Sequence, residues 1–396
     1  MMKYAALLGA GVVGAGVAEM MQGNAAYLEK SVGEAVALKY ILEPGDCSGQ
    51  PWADKVVKDF SVIEDDPEVS VVAECIGGVG VAYDFVRRAL LAGKSAVTSN
   101  KQLIAEKGLE LLSIAKEKGV FLLFEASVGG GIPLIRPLTN CLAANRIDAV
   151  AGIVNGTTNY ILTQMIDCGQ DFDAALKEAQ RLGYAEADPS ADVDGIDALR
   201  KICILADLCF GSNLPPEKVS AEGIRGVSLA DVAFAEKLGY SVKLLACARR
   251  LEGERFTAFV APMLVPRGNL LADVGGVMNA VVVTGNAVGD CLFYGAGAGR
   301  MPTASAVVAD IIDAMRRGNG RKFIDWAPER PELWADPREV PFRWFVRYQN
   351  GCANAIVDQC LSDNGECAGI TPPMTRGELE EKFNGTEILS AFRVKD

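Results

Sequence analysis

Residues 4–20, "YAALLGAGVVGAGVAEM", decide the reading of the fold. A short apolar strand runs into Gly9, Gly11 and Gly14, spaced G-x-G-x-x-G, and a helix-like stretch follows through Met21. Glycines at this spacing permit a tight turn and let a pyrophosphate approach the positive end of the helix. Alone the pattern is weak. The strand-like runs "VALKYIL" (36–42) and "VSVVAECIGG" (69–78), separated by polar or helical stretches, add the alternation of a parallel sheet. The expectation is an α/β chain that opens with an N-terminal Rossmann dinucleotide-binding domain.

Glu43 closes the second strand. A carboxylate there can accept hydrogen bonds from both ribose hydroxyls and repels a 2′-phosphate, so the reading leans to NAD over NADP, with Lys39 nearby as the counterweight. The stretch "AGKSAVTSNKQLIAEKG" (92–108) reads as a further strand ending in a polar turn. Lys101 then stands at the carboxyl edge of the sheet, where ligands of open parallel sheets bind. Either a ligand contact or an ordinary surface lysine fits that position.

The 396 residues suggest two or three domains. Half of them are hydrophobic, and the net charge of −12 disfavours nucleic acid and anionic membranes as partners, leaving small molecules. Eleven cysteines without a Cys-x-x-Cys pair indicate neither a disulfide framework nor a zinc ribbon. The start has the look of a signal peptide, with Lys3 ahead of an apolar run. No eighteen-residue apolar run follows elsewhere, and the cytoplasm is the expected location. Histidine is absent altogether. That removes Ser-His-Asp and Cys-His catalysis and leaves Lys, Asp, Glu, Tyr and Cys to move protons.

The stretch "GYAEADPSADVDGIDALRK" (183–201) holds five carboxylates and ends on a lysine. Read as a calcium loop from Ser190, it would place Lys201 where the bidentate glutamate belongs, which rejects that reading. Apolar spacing after Gly195 predicts a buried helix, and Asp197 and Lys201 fall four apart on one face. Glu186 and Asp192 lie in the preceding loop. The pair suits either an amino-acid substrate, whose ammonium needs acceptors, or a plain structural helix pair. Asp188 and Asp194 are expected to cap the helix or face solvent.

The chain resembles homoserine dehydrogenase up to about residue 318. The matching blocks are "GAGVVG", "IGG" (76–78), "TSNK" (98–101), "FEASVGGGIP" (124–133), "GIVNGTTNYIL" (152–162), 183–201 and "GAGAGRMPTASAVVADI" (295–311). The resemblance implies NAD- or NADP-linked interconversion of L-aspartate 4-semialdehyde and L-homoserine, a step towards threonine and methionine. It implies cofactor contacts at Gly9, Gly11, Val13, Gly14, Glu43, Ile76, Gly77, Ser99, Lys101 and Gly299. Substrate contacts fall on Gly183, Glu186 and Asp197, and catalytic roles on Lys201 as proton donor, Lys101, Asp197 and Asp192. A sodium site is implied at Glu125 with the carbonyls of Val128, Gly130 and Ile132. The glycine-rich backbone there could equally be a flexible strand-to-helix turn.

Domain bounds follow: 1–132 the Rossmann domain, with a return helix at 302–318, then 133–301 an α+β catalytic and dimerisation domain. A linker at 319–340 contains "DWAPERPELWADP", and 341–396 resembles a shortened, small α+β ACT domain. Its usual acidic-Pro-Gly loop is replaced by "QNGCAN", which puts effector binding in doubt. The family implies a homodimer or homotetramer. Two other readings remain open: a related Rossmann oxidoreductase acting on another semialdehyde, and a nucleotide-sensing regulatory protein.

Overall fold

The computed structural model describes residues 2–316, 323–349, 357 and 359–395, and the chain divides into two compact units. The first comprises 1–144, 211–215 and 295–329, and the second 145–210, 216–294 and 330–396.

In the first unit six parallel strands, β1 (Lys3–Leu8), β2 (Val36–Leu42), β3 (Val56–Val57), β4 (Val69–Glu74), β5 (Ser95–Thr98) and β6 (Leu122–Leu123), lie in the order 3-2-1-4-5-6. This is the doubly wound order, and its switch point falls between β1 and β4. Alternate residues of β1 serve opposite faces, as a pleated strand requires. Ala5 and Leu7 pack with Val17, Met21, Val307 and Ile311 from the helices Val12–Gly23 and Arg300–Arg316. Ala6 and Leu8 pack with Phe60, Ile63, Val72 and Ala89 on the other side. The return helix is therefore present, beginning at Arg300.

The second unit is built on a ten-stranded sheet. Its strands are β7 (Ile147–Ile153), β8 (Ser220–Ala221), β9 (Tyr240–Arg250), β10 (Phe256–Pro266), β11 (Met278–Gly285), β12 (Gly289–Ala296), β13 (Trp344–Gln349), β14 (Gln359–Asp363), β15 (Glu366–Ile370) and β16 (Ile388–Val394). The order is 12-11-7-9-10-16-13-15-14, with β8 beside β10. The helices Gly156–Cys168 and Ile196–Phe210 pack against β7, β9 and neighbouring strands.

By compactness, residues 133–144 and 211–215 group with the first unit. Within the expected linker Trp326 is buried, meets Phe124 edge-on, and covers Gly108 so closely that an added Cβ would lie 2.8 Å from its ring. Residues 341–396 do not stand apart, because β16 pairs with β10 in parallel at Met263↔Arg393 and Leu264↔Val394. The helix expected at 353–361 lies mostly outside the described residues, and its last three residues open strand β14 instead.

Candidate active site

The sequence turns sharply where β1 ends. Gly9 takes φ +85°, and a Cβ on Gly14 would sit 2.0 Å from the Gly9 carbonyl oxygen, so the loop closes only with glycine there. Gly11 occupies the N-cap of the helix Val12–Gly23 without a side chain to cover the first-turn amides. Open amides at a helix start are the usual seat of a pyrophosphate. Val13 is half-buried on that turn, and Gly299, with φ +119°, accepts the Thr303 amide at the start of the return helix.

Glu43 follows β2, and its carboxylate reaches back to the glycine loop. Oε2 accepts from the Ala10 amide at 2.8 Å and Oε1 from the Gly45 amide at 3.0 Å, which together hold its pKa below the ordinary value. Lys39 is committed to Asp66 and Glu68, each 2.5 Å away. Lys58 spends its donors on the carbonyls of Glu43, Pro44 and Gly45.

At the end of β4 the sequence reading missed Glu74. Its side chain is fully buried, Oε1 accepts from the Ile76 and Gly77 amides at 2.7 and 2.8 Å, and Oε2 accepts from the Thr98 hydroxyl. One carboxylate thus shapes the "IGG" turn and ties it to β5. The available signal was an acid closing an otherwise apolar strand. Ser99 donates its amide to the Glu74 carbonyl, and Asn100 caps the helix Lys101–Lys118, which sets Lys101 at the first helical position.

In the second unit the buried lysine is where the helical spacing puts it. Lys201, 8% exposed, donates from Nζ to Asp197 Oδ2 at 2.7 Å and to the Val154 carbonyl at 2.6 Å. The residue that organises the carboxylates is Asn155, which sequence reasoning did not single out. Its Nδ2 lies 2.7 Å from Asp192 Oδ1 and 2.9 Å from Asp197 Oδ2, while its Oδ1 caps the helix Gly156–Cys168 through the Thr158 amide at 2.9 Å. Lys201, Asp197, Asn155 and Asp192 therefore form one network.

The other acids of the stretch go elsewhere. Asp194 pairs with Arg225 at 2.6 Å, and Asp188 accepts from Ser190, which lowers its pKa. Gly183 (φ +77°) and Glu186 lie in an exposed loop, where the Glu186 carbonyl accepts from Gln180.

Glu125, the side chain of the expected cation site, is buried and bonded within the protein. Its carboxylate accepts from three amides, Oε1 from those of Leu134 and Ile135 and Oε2 from that of Arg136. Unpaired amides at the start of a helical turn attract a carboxylate, and three of them meet Glu125. Beside it, burial pushes Asp310 up to about 7 although Arg136 lies 2.8 Å away. Among the described residues no three Cys, Asp or Glu side chains gather as a metal site.

A doubly wound sheet with an open glycine loop, together with a buried lysine–carboxylate network and no histidine, defines a nicotinamide-dinucleotide-linked oxidoreductase. Residues 9–125 match the family model described as homoserine dehydrogenase, NAD binding domain, and residues 133–312 match that described as homoserine dehydrogenase. A homoserine dehydrogenase of Synechocystis sp. is 46% identical over 313 residues, covering 78% of this chain and 72% of that protein. The crystal structure of a homoserine dehydrogenase from Thiobacillus denitrificans superposes with TM-score 0.91 at 36% identity, covering 100% of this chain and 99% of that one. A hyperthermophilic archaeal homoserine dehydrogenase mutant in complex with NADPH matches with TM-score 0.67 at 30% identity over 81% of this chain and 100% of that one. The chain belongs to the homoserine dehydrogenase family.

Proposed function

We propose that Lys201 is the proton donor and acceptor in an NAD(P)-linked interconversion of L-aspartate 4-semialdehyde and L-homoserine by this chain. The observation that carries the reading is the buried Lys201–Asp197 contact at 2.7 Å, in a unit without any histidine to do the same work. The nicotinamide, when bound, supplies or accepts the hydride at the carbon bearing oxygen. Lys201 gives a proton to the oxygen as the carbonyl becomes an alkoxide and takes it back in the reverse direction. Asp197 orients the ammonium, and Asn155 keeps Asp192 and Asp197 side by side. Asp192, Glu186 and Gly183 are read as the face that receives the substrate's amino group, and Lys101 as a second catalytic lysine.

NAD is the proposed cofactor of choice. The support is that Glu43 follows β2 as an anion beside the glycine loop while Lys39 and Lys58 are both committed to protein acceptors. The contacts of Gly9, Gly11, Val13, Gly14, Ile76, Gly77, Ser99, Lys101 and Gly299 belong to the same proposal. For a monovalent cation the proposed ligands are Glu125 and the carbonyls of Val128, Gly130 and Ile132, none of which accepts a loop or turn backbone hydrogen bond among the described residues. The reading of 341–396 as ACT-like is supported by the antiparallel pairing of β13 with both β15 and β16 and by the helix Arg376–Lys382 joining the latter two. The proposal extends to a cytoplasmic homodimer or homotetramer.

The experiment is absorbance at 340 nm with homoserine at alkaline pH, supplying NAD and NADP in turn, for the unmodified protein and Lys201→Met. Turnover by the former and its loss in the variant, with cofactor binding retained, supports the reading. Turnover of both at similar rates removes Lys201 from the chemistry.

A further inference from the structure

Lys243 stands on β9 opposite Met263 of β10 and is 3% exposed. An ammonium carries three donors, and buried donors without acceptors cost free energy. Among the described residues its single hydrogen bond is to the Val274 carbonyl at 2.8 Å, an oxygen already shared with Asn159. Two donors are left over. They line a cavity of about 350 Å³ within the second unit, at the small end of the range for ligand sites.

The charges of this cavity are ordered from inside to outside. Lys243 is at its base, while Asp167 and Asp273 are exposed at its mouth, close enough to pull on the lysine's charge but beyond ion-pair distance. Arg267 and Glu236, also at the rim, neutralise each other at 2.8 Å. A simple anion would satisfy the base and be repelled by the mouth; a simple cation would meet the reverse. The complementary molecule carries a carboxylate inward and an ammonium outward within a short span.

We propose that this cavity binds a free α-amino acid, its carboxylate on Lys243 and its ammonium between Asp167 and Asp273. The cavity is distinct from the Lys201 network. Both touch the helix Gly156–Cys168, but Asn155 caps its start and Asp167 lies twelve residues on, about 18 Å along the axis. The proposed chemistry at Lys201 uses none of these residues.

The test is isothermal titration of the full chain with each common L-amino acid, and with acetate and ethylammonium as single-charge probes. It compares the unmodified protein with Lys243→Met, Asp273→Asn and Lys201→Met. The expected result is saturable binding of at least one amino acid that survives Lys201→Met and weakens about tenfold or more in Lys243→Met, the scale of a lost charged hydrogen bond. Asp273→Asn, an exposed change that leaves the core intact, weakens it as well. Absence of binding to the unmodified protein overturns the proposal. So does an affinity unchanged in Lys243→Met and Asp273→Asn, one lost only in Lys201→Met, or acetate binding as tightly as the amino acid.

Discussion

Asp197 and Lys201 meet through a single carboxylate oxygen, Oδ2, and that same oxygen is the one Asn155 holds. The pair is nearly sealed from water, with side chains 8% and 10% exposed. Removing one member strands the other's charge, a loss of about 3 kcal/mol or more, whereas removing both leaves no charge to strand. Lys201→Met and Asp197→Leu should each lower the midpoint of urea unfolding, and the double variant should recover part of the loss. A double variant as unstable as the sum of the two singles would show the contact carries no coupling.

Asn155 separates two roles that its variants can resolve. Asn155→Asp keeps an acceptor for the Thr158 amide but places a third carboxylate against Asp192 and Asp197; Asn155→Ala loses the cap, worth about 1 kcal/mol, without adding charge. Turnover should fall further in Asn155→Asp than in Asn155→Ala, while thermal stability measured without substrate should not follow that order. Equal turnover in the two variants would reduce Asn155 to a helix cap.

Glu43 should decide cofactor choice. Glu43→Gln removes the anion while retaining an acceptor for the Ala10 amide. The ratio of kcat/KM for NAD to that for NADP should drop about tenfold, measured side by side at one ionic strength. An unchanged ratio would leave Glu43 as the tie between the glycine loop and its own turn.

Lys243 should make stability depend on alkaline pH. Burial brings its pKa down from 10.5 to about 8, against the opposing pull of Asp167 and Asp273, with Glu236, Arg267 and Tyr240 lining the same cavity. Below pH 8 the lysine is protonated in both folded and unfolded chains, and the folded state carries the full penalty of a buried charge. Between about 8 and 10.5 the unfolded chain holds more protons, so stability rises with pH across that window. The total is on the order of 3 kcal/mol at about 1.4 kcal/mol per unit. Lys243→Met should be more stable than the parent at pH 7 and flat across the window, which denaturant titrations at pH 7, 9 and 10.5 would measure.

Much of this was legible in local pattern. The glycine spacing, the apolar strands β1, β2 and β4, and the four-residue separation of Asp197 and Lys201 all report interactions between near neighbours in the chain. What escaped was long-range. Asn155 meets partners 37 and 42 residues away, and nothing in "GIVNGTTNYIL" marks it beyond a helix cap. Glu74 was hidden for a related reason, since the amides its carboxylate satisfies become available only once the following turn has formed. Trp326 read as linker because proline flanks it, though it fills the space over Gly108. Strand β14 was read as the end of a helix because "ANAIVDQCL" has helical apolar spacing, and only pairing with β15 makes its last residues extended.

The parallel contact of β16 with β10 also sets a timetable. Strand β16 lies between β10 and β13, in the interior of the sheet and not on its rim. Until residues 388–394 have left the ribosome, the flank of β10 is open at Met263 and Leu264, beyond its pairing with β8, and β13, β14 and β15 have no strand joining them to it. A nascent chain arrested before residue 388 therefore presents the apolar end of β10, "PMLV" (262–265), paired on its β9 side only, to whatever chaperone or neighbouring chain is at hand.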